Sequence, residues 1–230
     1  VAFSDTADLN SANQFEFSVF LDTPEFVTLF NGTNSIQVFL EPAKNASVTF
    51  NSQNIASSVQ VDGENSAENL YLQIKFQLLL EHSIPLEHLY NRDVKSFRHL
   101  VDSFYEVEKI VLEDHIDKHP NLSEIFIKLE KASLFYDRAT KLIEYPRMSS
   151  YNEQIDAKYL NFLEKTNVND ASLLALFEYR EFLKAYVEYF THKRIFTDEI
   201  REVYPHEASL ARMQTVSAKI LNEEVKNYLL

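Results

Sequence analysis

The decisive stretch of this sequence is VDGENSAENLYL, residues 61–72, where the spacing of apolar residues changes. Before it, apolar residues alternate with polar ones or form short runs closed by turn residues, a pattern typical of β-strands. After it, apolar residues recur mostly three or four positions apart, a pattern typical of helices. Asn65 or Ser66 can cap a helix that begins near Ala67. The stretch therefore predicts a boundary between residues 1–63 and residues 64–230.

Residues 1–63 are predicted to form a small antiparallel β-sandwich. They are rich in Ser, Asn, Thr, Val and Phe, and they hold seven acidic residues against one basic residue. Asn31-Gly32 is a turn signal, so the runs on either side of it are predicted to form a hairpin around residues 31–35. Short strands separated by turns at regular spacing favour a sandwich. The predicted strands are Phe15–Val19, Phe26–Phe30, Ile36–Leu40, Ala46–Phe50 and Val59–Val61.

Residues 64–230 are predicted to form an α-helical domain, which makes the fold class α+β. This part is rich in Leu, Glu, Lys and Tyr, and its prolines mark helix ends. The first predicted helix begins near Ala67 and ends before Pro85. The others cover Val94–His115, Ser123–Tyr145, residues 156–166, Asp170–Thr191 and Pro205–Tyr228.

The composition excludes several classes of function. The chain has 230 residues, 22 of them basic and 35 acidic, and its formal net charge of −13 argues against nucleic-acid binding. Its two Gly residues are too few for a Rossmann fingerprint, a Walker A loop, a kinase glycine-rich loop or a G-x-S-x-G nucleophile elbow. It has no Cys, which removes disulfides, thiolate zinc sites, iron–sulfur clusters and thiol chemistry from this segment. No stretch approaches the roughly 20 apolar residues that a membrane span needs. Because the first residue is Val1 rather than Met, we expect a processed or truncated start.

Two histidine motifs resemble parts of metal sites. His115 and His119 are four residues apart, so they would share a helix face, and two imidazoles with a nearby carboxylate could hold a divalent ion. The alternative, which has the higher prior, is a charged helix C-terminus at which His residues interact with the helix dipole. His206-Glu207 begins a zincin-like motif, but Leu210 stands where the second ligand would be, and a first helical turn explains it better. We therefore predict no metal site, no cofactor and no catalytic residue.

Aromatic residues recur at helical spacing at Tyr179, Phe182, Tyr186 and Tyr189. One interpretation is an aromatic groove for a peptide or a client protein. The other is the core seam of a helix bundle, which has the higher prior because apolar faces at this period usually pack inward.

Two acidic pairs, Glu106/Glu108 and Asp198/Glu202, could be paired carboxylates for acid–base chemistry. Only the second pair would share a helix face. A glycosidase pair needs a separation of about 5–9.5 Å across a cleft, which spacing in the sequence does not supply. Solvated helix faces explain both pairs.

Several short motifs follow one another in residues 14–75: Phe15-Glu16-Phe17, Pro24 to Leu29, Val38 to Pro42, Val48-Thr49-Phe50, and Val61-Asp62-Gly63 with Ala67-Glu68-Asn69-Leu70-Tyr71-Leu72. Their order resembles the N-terminal region of secreted thioredoxin-family proteins of Bacteroidota, the multidomain relatives of TlpA/ResA-type thiol–disulfide oxidoreductases. In that family a small β-sandwich with a Leu-x-Pro-Gly-Asp turn precedes a helical region that starts Gly-x-x-Ala-Glu-Asn, and a thioredoxin domain follows. This sequence departs from the pattern at Pro42-Ala43-Lys44, where the usual Gly and Asp are missing. The Cys-x-x-Cys domain is also absent and is expected after residue 230.

The resemblance implies the non-catalytic N-terminal binding or scaffolding region of an exported thioredoxin-like thiol–disulfide oxidoreductase. The missing C-terminal domain would carry a role in cell-envelope redox homeostasis. The implied location is the periplasm or cell envelope, with a lipid anchor on a removed N-terminus as one means of attachment. Expected partners are the thioredoxin-like domain of the same full-length chain and either a client protein or a second copy in a homodimer.

Two other function classes stay open. The first alternative is a stand-alone exported binding protein for a peptide, a glycan or a small ligand. The other, with the lowest prior, is an enzyme that uses carboxylates or His115. Asn31, Asn45 and Asn121 each begin an Asn-x-Ser/Thr triplet, the glycosylation acceptor pattern, and in a bacterial protein, as the resemblance implies, they would normally be unmodified.

Overall fold

The computed structural model describes residues 4–150, 155–197 and 205–230. Within them, the strands precede the long helices, as the change at residues 61–72 predicts, and one short helix lies between β3 and β4. The strands are β1 (Glu25–Phe30), β2 (Ser35–Leu40), β3 (Ala46–Thr49) and β4 (Gln60–Gly63). The helices are α1 (Ile55–Ser58), α2 (Ser66–Glu81), α3 (Leu86–Tyr90), α4 (Val94–Lys118), α5 (Glu124–Met148), α6 (Phe177–Thr197), α7 (Pro205–Lys219) and α8 (Glu223–Leu229).

The strands pair as two antiparallel two-stranded sheets, β1 with β2 and β3 with β4. The predicted hairpin around residues 31–35 is confirmed. The Asn31 side-chain oxygen accepts hydrogen bonds from the backbone N–H groups of Thr33 at 3.1 Å and Asn34 at 2.8 Å. Gly32 takes a φ of 90°, a conformation that Gly adopts without strain. The loop between Phe30 and Ser35 therefore has four residues, and Gly32 supplies its positive φ.

The structure does not show the predicted β-sandwich. Residues 15–19, which alternate like a strand, lie outside both sheets, and the Phe15 ring instead lies 6.5 Å from the Phe50 ring. The two sheets share a small apolar cluster built around Ile36, Val38, Ile55 and Val61. So short a segment buries little surface by itself, and the strands depend on the helices for the rest of their burial.

The β1–β2 hairpin joins the helical core through aromatic side chains. Phe39 is fully buried, and its ring lies 5.4 Å from the ring of Phe26 and 5.1 Å from that of Phe126 in α5. Tyr71 of α2 packs edge-on against the same Phe126 ring at 5.8 Å. The hairpin, α2 and α5 therefore meet around one core.

The stretch at residues 61–72 turns the chain from β4 into α2. Gly63 ends β4 with a φ of 119°, and a Cβ at this position would collide with the carbonyl oxygen of Asn45. Asn65 occupies the N-cap position of α2, as predicted, but its side chain does not cap the helix. Its amide donates instead to a carboxylate oxygen of Glu41 at 2.9 Å. The change from strand to long helix thus falls between Gly63 and Ser66, where the sequence places it, and Asn65 ties α2 to the loop after β2.

The long helices α4, α5 and α6 supply most of the core. Asp93 begins α4 by accepting hydrogen bonds from the N–H groups of Lys95 and Ser96. The predicted end of α5 at Tyr145 is wrong, because the helix continues through Pro146 to Met148. Proline removes one backbone donor, and in a terminal turn that loss is small enough for the helix to continue.

Three of the later predicted helices differ from the structure. Residues 157–165 form a 3-10 helix, and α6 begins at Phe177 rather than at position 170, after a 3-10 turn at Ala171–Leu173. The last predicted helix is divided into α7 and α8, because the Asn222 side chain accepts hydrogen bonds from two backbone N–H groups and starts a new helix. In the described part of the chain, every helix is too short or too polar to cross a membrane.

Candidate functional site

A groove opens beside the C-terminal half of α2, where α2, α3, α4 and α5 meet. It encloses a cavity of about 290 Å³ with a largely apolar lining. Leu79 of α2, Leu86 of α3 and Val107 of α4 line its mouth, and Glu108, Asp137, Arg138 and Lys141 supply charged groups. We call this feature the α2–α4 groove.

Large apolar side chains at the mouth of the α2–α4 groove are exposed to solvent. Leu79 is 47% exposed, Leu86 64% and Val107 42%. Phe76 and Leu80 are exposed as well, and Phe76 is adjacent to both Leu79 and Leu80 on α2 because it lies three and four residues before them. A cluster of this kind beside a cavity is typical of interaction surfaces.

The two cationic groups of the α2–α4 groove are already paired. Arg138 binds the carboxylate of Asp102, with nitrogen–oxygen distances of 2.6 and 2.7 Å. Lys141 forms an ion pair with Asp137, four residues away on α5. Neither cation is therefore available to a ligand unless it exchanges partners.

Glu108 is the exception among the charged groups of the groove. It is half-buried, and among the described residues its carboxylate has neither a hydrogen bond nor an ion pair. Burial, together with the negative charge of Asp137, raises the pKa of Glu108, although Lys75 and Lys141 oppose the change. The groove therefore presents one half-buried carboxyl group that, among the described residues, has no direct hydrogen-bond or ion-pair partner.

The predicted acidic pair Glu106/Glu108 is split between two environments. Glu106 is exposed and lies 3.9 Å from Lys109, so the prediction of a solvated face holds for it. Glu108 turns into the α2–α4 groove, where the same prediction is wrong. The two residues lie on nearly opposite faces of α4, as their spacing predicts, but the spacing does not reveal which face borders a groove.

A buried ion pair that is not among the predicted sites lies next to the α2–α4 groove. Lys75 Nζ of α2 lies 2.7 Å from Glu130 Oε2 of α5 and 3.1 Å from the hydroxyl of Ser133. The Lys75 side chain is 14% exposed and that of Glu130 is 2% exposed. Burial alone would lower the pKa of Lys75, but the charge and hydrogen bond of Glu130 outweigh burial and raise it. The signal in the sequence is a Lys on the same helix face as Tyr71 and Leu78.

A second polar network, also absent from the predicted sites, fixes the start of α2. The Asn69 side chain accepts a hydrogen bond from the N–H of Phe39 at 2.8 Å and donates to the carbonyl of the same residue at 3.0 Å. Asn69 thereby replaces a neighbouring strand at the edge of β2. Glu41 accepts hydrogen bonds from Asn65 at 2.9 Å and from the Ser123 hydroxyl at 2.8 Å. The hydrogen bonds of Asn69 and Glu41 therefore join parts of the fold to one another and do not form a ligand site.

The His115/His119 pair occupies the end of α4. The two rings are 4.3 Å apart, so they share a helix face as predicted. His115 is buried, and its Nε2 donates to the carbonyl of Ala67 at 2.8 Å. Burial lowers the pKa of His115, which favours the neutral ring. Over the described residues, no group of three or more His, Asp or Glu could hold a metal ion. The arrangement fits a helix C-terminus joined to α2.

The aromatic residues of α6 lie in the core. Tyr179 and Phe182 are fully buried, Tyr186 is buried, and Tyr189 is half-buried against the same cluster. The Tyr136 ring of α5 lies 4.7 Å from that of Tyr179 and 5.2 Å from that of Phe182. The core seam is therefore the correct interpretation of this pattern.

The remaining candidate residues are either outside the part of the chain that the structure describes or exposed on its surface. Asp198 and Glu202 lie outside the described residues, as does the side chain of His206. Asn31, Asn45 and Asn121 are exposed, and the expectation that they are unmodified stays a prediction.

Comparisons of this chain with protein-family models, with curated proteins and with solved structures gave no match. A functional interpretation therefore rests on the α2–α4 groove and on the resemblance of residues 14–75.

Proposed function

We propose that this chain is the non-catalytic binding or scaffolding region of an exported thioredoxin-like thiol–disulfide oxidoreductase. The resemblance of residues 14–75 supports this family. Because the chain has no Cys, the thiol chemistry would belong to a Cys-x-x-Cys domain coded after residue 230, acting in cell-envelope redox homeostasis. The protein would then work in the periplasm or at the cell envelope, held there by a lipid anchor if one was removed with its N-terminus.

The exposed apolar mouth of the α2–α4 groove is the observation that carries a binding function. Covering exposed apolar surface with a partner would be favourable by roughly 25 cal/mol for each Å² that is removed from water. Leu79, Leu86 and Val107 surround a cavity into which a partner side chain could insert. A binding region of this kind would hold a client protein near the redox centre or pair two copies of the chain.

The family part of the proposal is tested by the coding sequence beyond residue 230. We expect it to continue in frame into a thioredoxin-like domain with a Cys-x-x-Cys motif. A stop codon directly after Leu230 would overturn the scaffolding role and leave a stand-alone binding protein.

The binding part is tested on the full-length protein with two kinds of disulfide substrate. In a Leu79→Gln variant we expect reduction of a small aromatic disulfide to be unchanged, because that chemistry needs only the redox domain. Reduction of a protein disulfide should be slower, because the α2–α4 groove no longer holds the client. Leu210→Gln is the matched control, since Leu210 is 54% exposed in α7, away from the groove. Equal rates for both variants on the protein substrate would contradict a binding role for the groove.

The cavity also supports the alternative of a stand-alone exported binding protein. Its volume of about 290 Å³ lies near the lower limit of small-ligand pockets. A thermal-shift screen with peptides, glycans and small metabolites would test this, since a ligand at a hundred times its Kd stabilises the folded state by about 2.7 kcal/mol. A ligand of the α2–α4 groove should no longer stabilise the Leu79→Gln variant but should still stabilise the Leu210→Gln variant.

A further inference from the structure

We propose that the partner of the α2–α4 groove is a basic amphipathic helix, which lays its apolar stripe across the groove and directs a Lys or Arg side chain to Glu108. The inference rests on the proposed binding function and names the class of partner. It follows from the shape of the apolar surface, from the volume of the cavity and from the one unpaired charge within it.

The apolar surface is larger than a small ligand could cover. It comprises Leu86, Leu79 and Val107 at the groove, together with the exposed Phe76 and Leu80 beside Leu79 on α2. The cavity at its centre holds about 290 Å³, which suits one or two side chains rather than a whole drug-sized molecule. A helix covers such a surface, because residues three and four apart form a continuous apolar stripe from which single side chains project.

The charge of the groove selects a cationic partner. Arg138 and Lys141 are paired with Asp102 and Asp137, whereas the Glu108 carboxylate is unpaired. A Lys or Arg on the docking helix would supply the missing counter-charge and form a charge-assisted hydrogen bond. The net charge of −13 would also attract a basic partner and oppose association with a second copy of this chain.

The test measures fluorescence anisotropy of labelled probe peptides about five helical turns long, at an ionic strength of about 0.15 M. The first probe contains Leu at i, i+3, i+4 and i+7 spacing and Lys elsewhere. The second replaces every Lys with Glu, and the third keeps the composition of the first in a shuffled order without an apolar stripe. We expect the first probe to bind at least about tenfold more tightly than either control probe.

Matched protein variants locate the binding site. Glu108→Gln should weaken binding of the basic probe about tenfold. Glu106→Gln removes the same charge from an exposed position two residues away and should leave the affinity unchanged. Leu79→Gln should weaken binding, whereas Leu210→Gln should not. Circular dichroism of each variant confirms that the fold is retained.

The outcomes separate this inference from the proposed function. Equal losses in Glu106→Gln and Glu108→Gln, or equal binding of the shuffled probe, would overturn a specific cationic contact. Preference for the acidic probe that depends on Leu79 would overturn the partner class while supporting the groove as a binding site. Dimerisation in sedimentation runs that is lost in Leu79→Gln would identify a second copy as the occupant and overturn the inference. If no probe binds and Leu79→Gln also leaves reduction of a protein disulfide unchanged, the proposed binding function fails with it.

Discussion

Removing one member of the buried Lys75–Glu130 pair should destabilise the protein far more than removing both. The two charged atoms are 2.7 Å apart. With an effective dielectric constant of about 20, their attraction is about 6 kcal/mol. Desolvation costs several kcal/mol per ion, so the attraction mostly offsets the cost of burial and the pair adds little net stability. A single substitution removes the attraction and leaves the other charge buried alone.

The structure also predicts which single substitution is worse. Glu130 is 2% exposed and has no route to water, whereas Lys75 is 14% exposed on a flexible stem that can move its ammonium group outward. We expect Lys75→Met to lower the free energy of unfolding by about 4 kcal/mol and Glu130→Gln by about 3 kcal/mol. The double variant Lys75→Met/Glu130→Gln should lose less than either single variant, because no buried charge remains.

The assay is urea unfolding followed by circular dichroism on all four proteins of the cycle. An exposed pair provides the control: Lys184 and Glu181 are also 2.7 Å apart, but their side chains are 53% and 38% exposed. Their coupling free energy should be about 0.5 kcal/mol. If the Lys75–Glu130 cycle gave a coupling as small as that of the exposed pair, or if the double variant lost the sum of the two single losses, the reasoning would be refuted.

Three further predictions concern α2 and the residues around it. Asn69→Ala should lower the free energy of unfolding by about 3 kcal/mol, because it leaves the N–H and C=O groups of Phe39 buried without partners; a loss below 1 kcal/mol in urea unfolding would mean that water replaces the side chain. Glu108→Gln should stabilise the protein at pH 7 and have no effect below about pH 4. The raised pKa of Glu108 means that its carboxyl group holds the proton more tightly in the folded state than in the unfolded state. The free energy of unfolding therefore falls as the pH rises from the ordinary pKa of 4.5 through the raised pKa of the folded state. A Glu108→Gln variant that is less stable than the unchanged protein at pH 7 would contradict this prediction. Gly63→Ala should cost about 2 kcal/mol, from the positive φ and from contact with the Asn45 carbonyl oxygen, and an unchanged midpoint in thermal unfolding would show that the turn relaxes.

The sequence predicts those elements whose signals are local. The Asn31-Gly32 turn and the boundary at residues 61–72 depend on residues close together in the chain, and both agree with the structure. The aromatic seam of α6 is also predictable, because it belongs to a long helix with one apolar face. The segment Phe15–Val19 alternates like a strand but has no strand beside it, and pairing with a distant segment is not encoded in local alternation.

The candidate site depends on which face of a helix is buried, and here periodicity fails. In α2 apolar residues occur all round the helix, so Leu70, Ile74 and Leu80 were as plausible for the core as Leu78. The structure exposes the first three and buries the face of Tyr71 instead. In α4 the buried residues are Phe97 and Val101 near its start and Leu112 and His115 near its end, whereas Val107 between them is 42% exposed. The pattern of apolar residues in one helix does not predict which part of that helix a neighbouring helix will cover.

The fixed orientation of α2 about its own axis explains why several of its apolar residues remain exposed. A helix that is apolar all round would bury Phe76 and Leu79 if it were free to turn. Asn69 is bound to the edge of β2, and Lys75, less than two turns later, is bound to Glu130 of α5. Turning α2 to cover Leu79 would break both contacts and leave several buried polar groups without partners, at about 1–3 kcal/mol for each. The polar contacts of Asn69 and Lys75 have a defined geometry, whereas apolar contacts are not directional. The polar contacts therefore determine which face of α2 is exposed to solvent, and they keep the α2–α4 groove uncovered.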